Sequence, residues 1–359
     1  MFKRKKMKIF QKYIGWTYFK YFVILFVALE FFYVGIDVLT NLKDFPQSAN
    51  LGLLYIAITA VAAITYTLPL SLVFALIIAK FNMIRNNEFI SFFALGVPKN
   101  SLIIPPFLIA LFITFGYISL NNTIFVKAVK FQKNITNFAS LNENADDLLL
   151  KYDGNFIYMS KLNPKEKTAK DVIFLETNGT NLISKAISKK GVYNDKKWLF
   201  SDVNTTFLPQ NLRLGEQGLT YKFEKNAQKL NNFDPNTIKN VYDSSQTYTI
   251  YEAIKSIKTF KNQGINVQTL KANLFVMIFF PLFAPFMVLI LYYYLPVISR
   301  FFNLALLSFA FFIITLCVWG ILFVLVRFSL NGVIIPEIGI ILPIFVMFCY
   351  ACYLFLKHR

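Results

Sequence analysis

Arg85-Asn86-Asn87-Glu88-Phe89-Ile90-Ser91-Phe92-Phe93-Ala94-Leu95-Gly96-Val97-Pro98 is the stretch around which the rest of the chain falls into order. Asn86 or Asn87 can cap a helix, and Glu88 then lies in its first turn, where the positive end of the helix dipole favours a carboxylate. Gly96 can end that helix and Pro98 blocks its continuation. About ten residues make roughly 15 Å of helix, half of the ~30 Å hydrocarbon core of a bilayer. The spacing therefore predicts a short amphipathic helix over 85–96, too short to span, with Phe89, Phe92 and Phe93 on one face.

The runs on either side are long enough to cross. Residues 51–79 precede it and 102–121 follow it, and 21–42 form an earlier apolar run. Hydrophobicity then stops, and it returns at 274–295, 301–326 and 338–356. A spanning helix needs about 20 apolar residues, so six spans are expected. The composition agrees: 56% of the chain is hydrophobic, 16% is charged, and the mean hydropathy is +0.51. Soluble domains carry about 25% charged residues, which excludes an ordinary cytosolic enzyme. The basic N-terminus could introduce a signal peptide, but its apolar run is too long and lacks a small-x-small site, so a retained anchor is expected.

Cations set the orientation. Lys3, Arg4, Lys5, Lys6, Lys8, Lys12 and Lys20 precede or open the first span. Lys80, Arg85, Lys99, Arg300, Lys357 and Arg359 lie on the same side of a six-span chain, against Lys43 and Arg327 on the other. Both termini are thus expected in the cytoplasm, with 122–270 exported. The chain divides into an N-terminal membrane half (1–121), an exported domain (122–270) and a C-terminal membrane half (271–359).

The exported segment carries +7 of the chain's net +18. Short alternating runs fill it, at 155–162, 170–177, 182–189, 198–200, 204–208 and 219–223. Asp153-Gly154, Asn178-Gly179 and Tyr193-Asn194-Asp195 punctuate them as turns. This pattern predicts an all-β sandwich, followed by a helix over 250–262 that ends at Gly264.

Catalytic signatures are missing from the sequence. It contains no phosphate-binding P-loop, and its one histidine, His358, cannot form a zinc-protease motif or a serine triad near the chain's end. Cys349 and Cys352 read as small packing residues in an apolar helix, and no metal site is expected. Glu30 and Asp37 lie seven residues apart on nearly one face of the first span. Intramembrane acids are costly. The pair is either satisfied by neighbouring helices or forms the edge of a translocation cavity, with no cation inside a span to partner it. Lys43 and Arg327 either snorkel to anchor helix ends or meet the phosphates of an anionic glycolipid. The short helix either lies in headgroups or is a coupling helix through which Arg85, Glu88, Phe89, Phe92 and Phe93 engage a cytoplasmic partner.

The ordered set of features resembles the LptF/LptG family of lipopolysaccharide export permeases. It is carried by 36–43 at the end of span one, Leu68-Pro69-Leu70 in span two, 87–97 after it, 191–203 with Gly191, Trp198 and Asp202, and 281–287 with Pro281 and Pro285 in span four. The ending of span one at Lys43 looks more like the LptG branch. The resemblance implies a polytopic α-helical membrane protein of six transmembrane helices with an inserted periplasmic β-jellyroll. It implies a permease rather than an enzyme, located in the inner membrane, which binds no cofactor itself because ATP is held by a partner. The partners implied are the homologous permease subunit (LptF if this chain is LptG), an LptB ATPase dimer, LptC, the periplasmic jellyroll bridge LptA and lipopolysaccharide, and no nucleic acid. It further implies that Glu88 engages the ATPase and that Lys43 contacts lipid phosphates. Competing readings are another ABC-type membrane subunit that transmits ATP hydrolysis to an exported domain, and a membrane-bound envelope enzyme.

Overall fold

The structure, a computed structural model, describes residues 9–46, 48–128, 131, 145–152, 155–163, 166–178, 181–194, 197–209, 218–230, 235, 248–261, 267–297 and 303–358. It forms two compact units, one of Met1–Asn137 with Ala272–Arg359 and one of Phe138–Lys271.

In the first unit, six helical segments are long and apolar enough to cross a membrane. They are α1 (Ile9–Thr40), α2 (Ala49–Arg85), and, after the short α3 (Glu88–Ala94), α4 (Lys99–Leu120). The fourth span, Gln268–Tyr294, is numbered here after α5 of the second unit. It consists of α6 (Gln268–Ile278), a 3-10 turn at Phe280–Leu282 and α7 (Phe283–Tyr294). α8 (Leu304–Leu330) is the fifth, and a π-helical turn at Glu337–Ile341 leads into α9 (Leu342–Lys357) to make the sixth. Each span expected from the sequence overlaps one of these. α1 begins twelve residues before the apolar run, because Tyr13, Ile14, Gly15 and Tyr18 continue the helix past the purely apolar stretch. Pro281 lies in the 3-10 turn that interrupts span four, where its missing N–H does least harm.

α2 is the centre of this unit. It packs against α1, α4, α7 and α8, and Leu72, Val73, Ala75 and Ile77 are fully buried. Tyr18 ties α1 to it, its hydroxyl donating to Leu72 O at 2.9 Å. Gly15 lets α1 approach α4, since a Cβ there would lie 3.2 Å from Ile109. α1 and α8 are peripheral and expose large apolar side chains, among them Phe31, Phe32, Phe309 and Ile321. Such a surface suits lipid or other apolar helices. Cys317 on α8 and Cys349 and Cys352 on α9 are free and exposed. The reading of Cys349 and Cys352 as packing residues is therefore corrected: their face of α9 turns away from the core.

The second unit is built on one antiparallel sheet whose strands follow chain order, β1-β2-β3-β4-β5-β6. The strands are β1 (Ala145–Tyr152), β2 (Asn155–Asn163), β3 (Thr168–Asn178), β4 (Asn181–Asn194), β5 (Lys197–Phe207) and β6 (Thr220–Lys229). Among the described residues each strand pairs with its sequence neighbour, so these six form a meander. Asp153-Gly154, Gly179 and Asp195 lie outside the described residues. The pairs Tyr152 with Asn155, Asn178 with Asn181 and Asn194 with Lys197 bracket them as two-residue connections. One face of the sheet carries the core, with Ile157, Met159, Val172, Ala186, Trp198, Phe200 and Val203 buried. Trp198 and Phe200 stack with ring centroids 5.8 Å apart. Gly191 is needed opposite them, because a Cβ there would come within 2.4 Å of the Phe200 ring. The helix after the sheet, α5 (Ile250–Lys261), opens with a capping box: Thr249 N donates to Glu252 Oε2 at 2.8 Å, and Glu252 N donates to Thr249 Oγ1 at 3.2 Å. Gly264, expected to end it, lies outside the described residues.

Candidate functional site

The short helix forms because the chain turns sharply on both sides of it. α2 ends at Arg85, and Asn87 takes a left-handed conformation at φ 59°, which asparagine tolerates better than most residues. α3 then runs only from Glu88 to Ala94, shorter than the 85–96 expected, with Arg85 as the last residue of α2. Its end is a Schellman motif: Gly96 at φ 73° donates to Phe93 O at 2.9 Å, and Val97 donates to Phe92 O at 3.0 Å.

The aromatic face of α3 points into the membrane unit. Phe89 is buried, with its ring 6.3 Å from that of Tyr292 on α7. Phe92 packs near Phe10 of α1 at 6.2 Å, and Phe92 and Phe93 both rest against the core. Arg85, Ile90 and Leu95 face outward, Leu95 at 78% exposure. The three phenylalanines thus seat the helix. Glu88 is half-buried at its start; Oε1 accepts from Asn86 Nδ2 at 3.4 Å, and Tyr13 of α1 interacts with the carboxylate. Its Oε2 is buried and has no hydrogen bond among the described residues.

Under α3, several helix ends meet. Lys80, which the sequence groups with the loop cations, is 2% exposed inside α2. The reading that no span holds a cation is corrected accordingly. Its Nζ donates to Tyr292 O at 2.5 Å and Leu295 O at 2.9 Å, the orphan carbonyls at the end of α7. Asn100 at the start of α4 donates to Phe355 O at 2.9 Å and accepts from Tyr293 Oη at 2.7 Å. Tyr292 Oη donates to Lys99 O at 3.0 Å, and Tyr293 stacks on His358 at 4.7 Å. The ends of α2, α7 and α9 and the start of α4 are thereby held together at one end of the unit, as expected for alternating spans. Sequence reasoning missed Lys80, Asn100, Tyr292 and Tyr293. The available signal was a lysine more than one turn inside an apolar helix.

Lys43 lies in a 3-10 turn (Leu42–Asp44) just beyond α1, and Arg327 in the last turn of α8. Both are exposed, and neither has a carboxylate partner among the described residues. The Arg327 guanidinium sits 5.0 Å over the Phe323 ring. Spans one and five run in the same direction, so both cations fall at the same end of the unit, away from α3. Glu30 and Asp37 both turn toward α2. Glu30 accepts from Thr67 Oγ1, and Asp37 accepts from Tyr55 Oη at 2.5 Å. Glu30 Oε2 is buried and without a hydrogen bond among the described residues.

Six apolar helices, a short helix seated under the end of the second, and an antiparallel domain inserted after the third define a polytopic membrane protein. The chain belongs to the family described as lipopolysaccharide export system permease LptF/LptG, whose model matches residues 12–357. That match covers both branches of the family. A search of curated proteins gives no match. Family and apolar helices together make this a multi-pass protein of the inner membrane.

Proposed function

We propose that the chain is the membrane subunit of an ABC transporter that takes lipopolysaccharide from the outer leaflet of the inner membrane. It passes the lipid to a periplasmic jellyroll bridge, LptC and LptA, at the expense of ATP bound by an LptB dimer. The homologous permease subunit completes the membrane part, and this chain binds no cofactor of its own. The observation that carries the reading is α3. A seven-residue helix fixed by three inward phenylalanines exposes Ile90, with Arg85 before it and Leu95 after it also exposed, beside a carboxylate with one buried oxygen unsatisfied among the described residues. Such an oxygen is costly until a donor reaches it, and a cationic side chain of the ATPase would supply a charge-assisted bond. Both termini and α3 are cytoplasmic in this reading, and the sheet unit is periplasmic.

At the opposite end, Lys43 and Arg327 would meet lipid phosphates. They sit on the two peripheral helices, whose exposed apolar faces suit a dimer in which span one of one subunit lies near span five of the other. The deciding experiment for α3 is co-purification with the ATPase. Glu88→Ala is expected to leave the permease inserted and to reduce ATPase recovery or lipid-stimulated hydrolysis by about tenfold, the factor one charged hydrogen bond carries. Normal recovery and normal stimulated hydrolysis would refute this role.

A further inference from the structure

Lys80 is buried inside the membrane unit, and no carboxylate is among its partners in the described residues. Taking a lysine amine out of water is costly unless its donors are satisfied, yet this one lies at 2% exposure within α2. Its surroundings explain what it holds. Two of its protons go to Tyr292 O and Leu295 O, where the α7 backbone ends and its carbonyls carry partial negative charge. The charge also lies 4.2 Å from the Tyr292 ring centroid and 5.5 Å from that of Phe89. Phe89 belongs to α3, Lys80 to α2 and Tyr292 to α7. One side chain from the central helix therefore fastens the short helix to the end of the fourth span. From Tyr292 and Tyr293 the bonds continue to Lys99 and Asn100 of α4, and through Asn100 to Phe355 of α9.

We propose that Lys80 is a positioning residue that makes α3 and the end of α7 move as one body, so that a push on α3 reaches spans four, three and six. This rests on the reading of α3 as the ATPase contact. Apolar packing alone permits sliding, because its energy is spread over many weak contacts. Two bonds from one ammonium to fixed carbonyls define a register, which is the best attested use of a buried charge. The geometry also explains why the cation is placed more than one turn before the end of α2: from there it reaches beneath α3 and not past it.

The test uses the assembled transporter in vesicles with labelled lipopolysaccharide and an acceptor for the released lipid. Lys80→Met keeps the length and apolar bulk of the side chain and removes its three donors. The variant is expected to retain the ATPase and hydrolyse ATP, while lipid delivered per ATP falls about tenfold or more. Hydrolysis and delivery falling in proportion, or neither changing, would overturn the proposal. If Lys80→Met does not assemble, a chain that keeps Lys80 decides the matter. Spin labels at Ala94, the last residue of α3, and Tyr294, both exposed, are introduced after Cys317, Cys349 and Cys352 are changed to alanine. Their separation is expected to stay constant between nucleotide-free and ATP-bound complexes; a separation that changes would overturn the proposal. Failure of the ATPase to co-purify with the unsubstituted chain would refute the underlying reading of α3 instead, and this proposal with it.

Discussion

Lys43 and Arg327 are single charges at the ends of two peripheral helices, and their exposure limits what either can contribute alone. A charge-assisted bond to phosphate is worth about 1.5–3 kcal/mol when shielded, and less in water. Each single change to alanine is thus expected to be mild, whereas Lys43→Glu with Arg327→Glu turns attraction into repulsion and should abolish lipid crosslinking at these positions. Normal transport and lipid capture by an assembled double variant would leave both residues as helix anchors only. Glu30 and Asp37 invite a different substitution. Thr67→Val removes the donor to Glu30, whose second oxygen is already unsatisfied, and should cost about 1–3 kcal/mol of unit stability, read as a lower midpoint of thermal aggregation in detergent. An unchanged midpoint would show that water satisfies Glu30. The sequence made these charged residues visible because charge in an apolar run is conspicuous. It did not reveal their partners. Lys80 carries the same letter as Lys12, and only the arrival of α7 from over two hundred residues away turns it from a loop cation into a buried cap.

Among the elements, the six spans were legible in position because apolar runs dictate them, while helical ends that run past the apolar stretch, such as the first twelve residues of α1, were not. Strands were legible in position but not in length. The runs 198–200 and 204–208 are one strand, β5, because Asp202 at φ 51° bends the backbone without ending its pairing. β1 was missed because the apolar residues of 145–152 run together as Leu148-Leu149-Leu150 and do not alternate. At Gly191 the pattern needs a small residue for a reason that only the fold supplies. Gly191→Val would force a side chain into the Phe200 ring and is expected to destabilise the sheet by about 1–3 kcal/mol. Faster amide exchange across β4 and β5 of the intact protein would register it, and unaltered protection would contradict the tight contact. Among the described residues β1 and β6 each pair with one strand only, and β6 exposes Tyr221 and Phe223. An open edge accepts another strand. Photocrosslinkers along β6 should capture a periplasmic β-domain protein; capture of lipid alone at every position would argue against a bridge there.

At the scale of the whole molecule, the match to the permease family over residues 12–357 and the alternation of six spans place two kinds of surface at opposite ends of the membrane unit. α3 lies at one end and Lys43 with Arg327 at the other. In the proposed reading, work done by an ATPase at the first end would reach a lipid at the second through α2 and its neighbours. The most direct measurement is ATP-dependent transfer of lipopolysaccharide from vesicles containing this chain, its partner permease subunit and the ATPase to a soluble jellyroll acceptor. Transfer is expected only when ATP and all subunits are present, and it should fall about tenfold when Glu88 is changed to alanine. A complex that hydrolyses ATP while lipopolysaccharide stays in the vesicle, with the acceptor present and folded, would contradict extraction as the function of this chain.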